Sequence, residues 1–169
     1  MRMKVIAALA LSAWLIAGCQ REMEKMVEVS GHLFVFNYRV ATATYLVTLR
    51  KTAPIPDGSV AIAEFEDPAG GEPIVLNEKV YPAWDQITLQ SPPVHCIRKD
   101  RPYAVNIRLV DAGGKTLQEL KTQLISDVDQ AAMLPGKPLV VGPFYNKNPE
   151  VFKPDGTVDY SNTDTCPAV

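Results

Sequence analysis

Along most of the chain, apolar and polar residues alternate with the period of two that marks half-buried β-strands. From Val27 to Val40 the pattern predicts one long strand, with Phe34, Phe36, Tyr38 and Val40 on one face and Val35, Asn37 and Arg39 on the other. His32 shares the phase of the aromatics. Thr44 to Lys51 follows, with Tyr45, Val47 and Leu49 facing one way. Ser59 to Glu66 sets Ala61, Ala63 and Phe65 against Glu64 and Glu66, and Ile74 to Val80 groups Ile74, Leu76 and Val80. Gln86 to Leu89 is short, and Tyr103 to Val110 sets Tyr103, Val105, Ile107 and Leu109 against Asn106 and Arg108. Thr116 to Ile125 fits two periods: Leu117, Leu120 and Leu124 suit a helix face, whereas Leu120, Thr122 and Leu124 suit a strand. The hairpin-forming Ala112-Gly113-Gly114 just before it favours the strand. Asp127 to Leu134 has room for one or two helical turns, and Leu139 to Val141 is a last short strand.

Turn chemistry separates these runs. Pro54-Ile55-Pro56-Asp57-Gly58, Asp67-Pro68-Ala69-Gly70-Gly71 and Ser91-Pro92-Pro93 all reverse or break the chain. The expected fold is all-β: a small antiparallel β-sandwich or open barrel of about eight strands.

The N-terminal segment has a different pattern. Arg2 and Lys4 precede an apolar run from Val5 to Ala17, interrupted only by Ser12, which is shorter than the roughly 20 residues of a membrane span. Leu15-Ile16-Ala17-Gly18-Cys19 resembles a lipobox, the site at which bacterial lipoproteins are lipidated and cut. The resemblance implies a signal peptide over 1–18, a lipidated Cys19 as the mature N-terminus, and a membrane-anchored protein of the bacterial cell envelope. Gln20, where aspartate would favour inner-membrane retention, points to the periplasmic face of the outer membrane. An ordinary signal peptide with a cysteine at the cut, or an uncleaved anchor, are the alternatives. The domain organisation expected is then signal 1–18, tether 19–26, β-sandwich 27–145 and polar C-terminal tail 146–169.

Removing 1–18 takes away only Arg2 and Lys4, leaving 15 basic residues of the chain's 17 against 19 acidic. No basic stripe is present, which excludes nucleic acid from the expected partners. Of the three cysteines, Cys19 is assigned to lipid. In an oxidising compartment the remaining even pair, Cys96 and Cys166, is expected to form a disulfide. Free cysteines, or a reactive Cys96 beside His95, are the other readings, although neighbours on a strand point to opposite faces.

From Ala43 to Leu117 the chain resembles the YbaY/YscW-type lipoproteins. The strand Ala-Thr-Tyr-Leu-Val-Thr-Leu-Arg-Lys (43–51) leads to the turn Ala-Pro-Ile-Pro-Asp-Gly (53–58) and the strand Val-Ala-Ile-Ala-Glu-Phe-Glu-Asp (60–67). Pro-Ile-Val-Leu-Asn-Glu-Lys-Val (73–80) and Ile-Thr-Leu-Gln-Ser-Pro (87–92) follow, then Arg-Pro-Tyr-Ala-Val-Asn-Ile-Arg-Leu-Val-Asp-Ala-Gly-Gly-Lys (101–115). The resemblance implies a small lipoprotein sandwich. Some members of that family are pilotins, which bind a C-terminal segment of a secretin and carry it to the outer membrane. No set of binding residues carries over.

Candidate chemistry is sparse. His32 and His95 are the only histidines, and neither has metal-ligand spacing around it. His32 reads as a rim or core residue. The acidic run Asp155 to Asp164 lacks the order of a calcium loop and reads as a solvated tail. Glu64 and Glu66 read as one solvated face. Trp84, in Tyr81-Pro82-Ala83-Trp84, is expected to plug the core, with an exposed anchor for a peptide or glycan as the alternative. The strand 27–40 is expected to be central and buried on both faces; the alternative is an edge or groove that accepts a partner segment. No catalytic residue, metal or cofactor is assigned. The expected function is a non-enzymatic, outer-membrane-anchored binding module, possible partners being segments of envelope or secretion proteins. A structural or stress-related envelope lipoprotein is the alternative; an enzyme or small-ligand binder would need a polar cleft.

Overall fold

The computed structural model describes residues 25–162 and 166–167. The expected signal segment, Cys19 and most of the expected tether lie outside the described residues. Among the described residues nine strands and one helical turn are formed: β1 (Val27–Asn37), β2 (Thr42–Lys51), β3 (Val60–Phe65), β4 (Ile74–Lys79), β5 (Gln86–Gln90), β6 (Pro102–Val110), β7 (Thr116–Ile125), α1 (Gln130–Met133), β8 (Val140–Val141) and β9 (Asn146–Lys147). Two antiparallel sheets form the body, in the orders β1-β2-β5 and β4-β3-β6-β7, and β8-β9 is a separate small hairpin. The fold is an all-β sandwich with no closed barrel.

The core is the set of positions that the alternation picks out. Tyr45, Val47 and Leu49 of β2, Ala61, Ala63 and Phe65 of β3, and Tyr103, Val105, Ile107 and Leu109 of β6 are all buried. Aromatic rings cross the space between the sheets. Phe34 and Tyr45 have centroids 4.7 Å apart, Tyr45 and Phe65 5.1 Å, and Phe34 meets Tyr103 edge-on at 5.7 Å. Truncating a buried ring such as Phe65 to alanine removes about 3–5 kcal/mol in this kind of setting. The Tyr45 hydroxyl reaches out of the core and donates to the Glu66 carbonyl at 2.7 Å.

Two bulges change the register. In β1, Val29 faces Leu49 but Gly31 faces Thr48, so Ser30 is the extra residue. It switches the inward set from Val27 and Val29 to Phe34 and Phe36. In β7, Thr116 faces Val110 and Gln118 faces Leu109, which leaves Leu117 as the extra residue. Leu117 and Leu120 therefore both reach the core, although a regular strand would point them apart. That is the origin of the helix-like leucine spacing.

The long first strand differs from expectation in two ways. It ends at Asn37, and Tyr38 to Ala41 make the turn to β2, with Ala41 in the left-handed region at φ 52°. It is also an edge strand, not a central strand buried on both faces. The expected polar tail from 146 is in part packed. The boundary falls within the β8–β9 hairpin, and Val151 and Asn148 beyond it are buried. Asn148 Nδ2 donates to the Pro138 carbonyl at 2.7 Å, and Lys137 Nζ donates to Asp159 Oδ2 at 2.7 Å. Residues 139–162 are thus a packed arm. Gly136 makes part of that packing possible, since a Cβ there would overlap the backbone of Ser161 and Asn162.

Candidate partner-binding surfaces

Strand directions give the sandwich two ends. The starts of β1 and β7 and the ends of β2 and β6 share one end, where the tether leaves at Lys25 and Met26. Thr52 N donates to the Met26 carbonyl at 2.9 Å there, and Gln118 of β7 accepts from Met26 N and Val27 N while donating to the Val27 carbonyl. The opposite end carries the β1–β2 turn, α1 and the C-terminal arm.

At that far end Cys96 and Cys166 are joined by a disulfide, with Cα atoms 5.5 Å apart and a sequence separation of 70. Each sulfur is engaged by the other, so Cys96 is not presented as a thiol beside His95. The Cys96 segment is held by two buried side chains. Gln130 accepts from Ile97 N at 3.2 Å and donates to the Val94 carbonyl at 3.3 Å. The Tyr103 hydroxyl accepts from Arg98 N at 2.7 Å. These bonds keep Cys96 in the left-handed region, at φ 69°, a conformation that costs a non-glycine residue about 1–3 kcal/mol. Around the disulfide lies an open cleft of about 980 Å³ whose lining includes Thr42, His95, Arg98, Asp129 and Glu150.

Asp155 and Asp159 of the arm are occupied by their own chain. Asp155 Oδ1 accepts from Thr157 N and from its hydroxyl, and the hydroxyl's bond holds that carboxyl below its usual range. Asp159 binds Lys137 and accepts from Ser161 N, and the Lys137 ammonium holds its carboxyl far below the ordinary carboxylate range. Among the described residues no group of three or more His, Cys, Asp or Glu is arranged to hold a metal ion. Glu64 and Glu66 stand on the outer face of their sheet, paired with Arg108 at 3.6 Å and Arg101 at 2.7 Å.

Trp84 is not a core plug: it is 56% exposed and stacks on exposed Tyr81 with ring centroids 4.6 Å apart. The period of two carries no information there, because Tyr81 to Asp85 is a turn, closed by Trp84 N donating to the Tyr81 carbonyl at 3.0 Å.

The edges of the two sheets differ in how they are protected. β5 is short and ends at Ser91-Pro92-Pro93. β4 follows Pro73 and ends in Glu78 and Lys79. β7 carries Gln118, Glu119 and Lys121. Such short lengths, prolines and charges keep edges from pairing with other chains. In β1 the first half has the bulge and the Gln118 clamp, but Gly31-His32-Leu33-Phe34-Val35-Phe36 has neither proline nor lysine nor carboxylate. Leu33 and Val35 point outward, 53% and 37% exposed. Beside them a groove of about 670 Å³ opens between β1 and β7, lined by His32, Leu33 and Lys121 to Ile125. His32 is therefore a groove-rim residue. Sequence periodicity could not locate this groove, because strand order is not written in any one strand.

No family model and no curated protein matches the chain. Among solved structures, the chain is similar to the Pseudomonas fluorescens alkylpurine DNA glycosylase AlkC bound to DNA containing an abasic site analog. The match has 16% identity and a TM-score of 0.29, and covers 60% of this chain but only 31% of that one. A similarity that low carries no inference about fold or function.

Proposed function

We propose that this is a lipid-anchored envelope lipoprotein that works as a non-enzymatic binding module, its β1 edge accepting an extended segment of a partner protein. The observation that carries the reading is the unprotected second half of β1 above an open groove. A segment entering there would pair with the β1 backbone and set alternate side chains against Leu33 and Ile125, the usual logic of strand addition. It would also lie between the edges of both sheets, bridging β1 and β7 where the sandwich is open.

The anchor rests on the lipobox-like Leu15 to Cys19, and Gln20 favours the outer membrane. Lipid on Cys19 with more than one acyl chain gives stable membrane attachment. The resemblance to YbaY/YscW-type lipoproteins adds a finer reading: a pilotin-like chaperone whose partner is an envelope or secretion component. The test is affinity capture of the lipidated protein from native envelopes, read by mass spectrometry, alongside Cys19→Ser. Wild-type protein is expected to fractionate with membranes and return a secretin or other assembly subunit, while Cys19→Ser leaves the membrane fraction. Capture of general envelope proteins alone would contradict the binding role and leave a structural envelope lipoprotein.

A further inference from the structure

The anchor end of the sandwich carries an aromatic surface to which strand addition assigns no task. We propose that the Tyr81–Trp84 loop is a bilayer-contact site that seats this end of the domain in the lipid headgroup region. The inference rests on the proposed lipidation of Cys19.

Position is the first argument. Met26, where the tether leaves the domain, accepts from Thr52 N, and the adjacent Lys51 N donates to the Asp85 carbonyl at 2.9 Å. The Lys51 ammonium also donates to the Pro82 carbonyl. The aromatic loop is thus fastened to the residue next to the tether's exit. The six steps along the chain from Cys19 to Lys25 reach at most about 22 Å when fully extended. A lipid on Cys19 therefore keeps this end, and not the end with the disulfide, within reach of the bilayer.

Chemistry is the second. Trp and Tyr favour the membrane–water interface, where an apolar ring and a polar N–H or O–H are both satisfied. Trp84 and Tyr81 are exposed, mutually stacked and held on a hydrogen-bonded turn, so little conformational freedom is left to lose on contact. The Lys79 ammonium sits 5.3 Å from the Tyr81 ring centroid, where it can reach lipid phosphates over the ring. The charges closest to the loop are mixed, Lys51 and Lys79 standing with Asp85. Attraction to the bilayer is accordingly aromatic and not electrostatic, and zwitterionic lipid suffices.

Trp84 reports on itself, because the chain's other tryptophan, Trp14, lies in the signal segment. The lipidated protein is reconstituted into phosphatidylcholine vesicles with ordinary or brominated acyl chains, floated on a density gradient, and its tryptophan emission recorded. The expected result is flotation, emission at shorter wavelength than that of unlipidated protein lacking residues 1–19 in buffer, and loss of intensity on brominated lipid. Flotation with the emission of the unlipidated protein and equal intensity on both lipids would overturn the bilayer contact while leaving the anchor intact. Failure to float would overturn the lipid anchor and the bilayer contact with it.

Discussion

Tyr45 is the residue on which both sheets converge. Its ring packs between Phe34 and Phe65, tilted against both, and its hydroxyl is spent on the Glu66 carbonyl. Burial pushes its ionisation well above the ordinary tyrosine range, so it stays a neutral donor. Tyr45→Phe keeps the ring contacts and removes one hydrogen bond, and should cost about 1 kcal/mol in urea unfolding. A second residue-scale prediction concerns Asp159. Its folded-state carboxyl titrates below the unfolded value, so its contact with Lys137 contributes fully above the ordinary aspartate pKa of about 3.9 and is lost as pH falls below that toward the depressed value. Amide hydrogen exchange over residues 139–162, corrected for intrinsic rates, should show equal protection at pH 7 and pH 5 and rising exposure only in stronger acid. Loss of protection already at pH 5 would contradict the contact.

At the scale of elements, the alternating runs were legible because each main strand has one buried face. Tyr45, Val47 and Leu49, or Tyr103, Val105, Ile107 and Leu109, announce their inward face without any knowledge of their neighbours. Two things escaped this logic. Bulges at Ser30 and Leu117 shift the phase inside a strand, and the one at Leu117 gives β7 its helix-like leucine spacing. Strand order was not legible either, since an apolar residue such as Leu33 or Val35 looks alike on a central strand and on an unprotected edge. Trp84 is apolar in bulk but sits in the Tyr81–Asp85 turn, where alternation assigns no face. At β1 the structure yields a direct prediction: Leu33→Lys with Val35→Lys places charges on outward positions and should shift stability by no more than about 0.5 kcal/mol.

For the molecule as a whole, the sandwich separates two kinds of surface along its strands. Lys25–Met26 and the Tyr81–Trp84 loop share one end, and the disulfide, the arm and the cleft around it share the other, with the β1 groove running between them. Composition made the cysteine pairing a natural expectation, but it gave no sign that the arm packs, because Asn148 and Lys137 look like tail residues until their partners are known. The disulfide closes a loop of 70 residues across β6 and β7. Cys96→Ser with Cys166→Ser should lower stability in urea by about 2–4 kcal/mol, with the far-ultraviolet β signal retained. An unchanged midpoint would mean that the packed arm holds itself in place.

The measurement that bears most directly on the proposed role compares two baits in native envelopes: the lipidated wild type and its Leu33→Lys, Val35→Lys variant, each crosslinked, captured and read by mass spectrometry. The β1-edge account predicts that a specific assembly subunit is recovered with the wild type and lost with the variant, while both remain folded and membrane-bound. Recovery of the same proteins by both baits would contradict it.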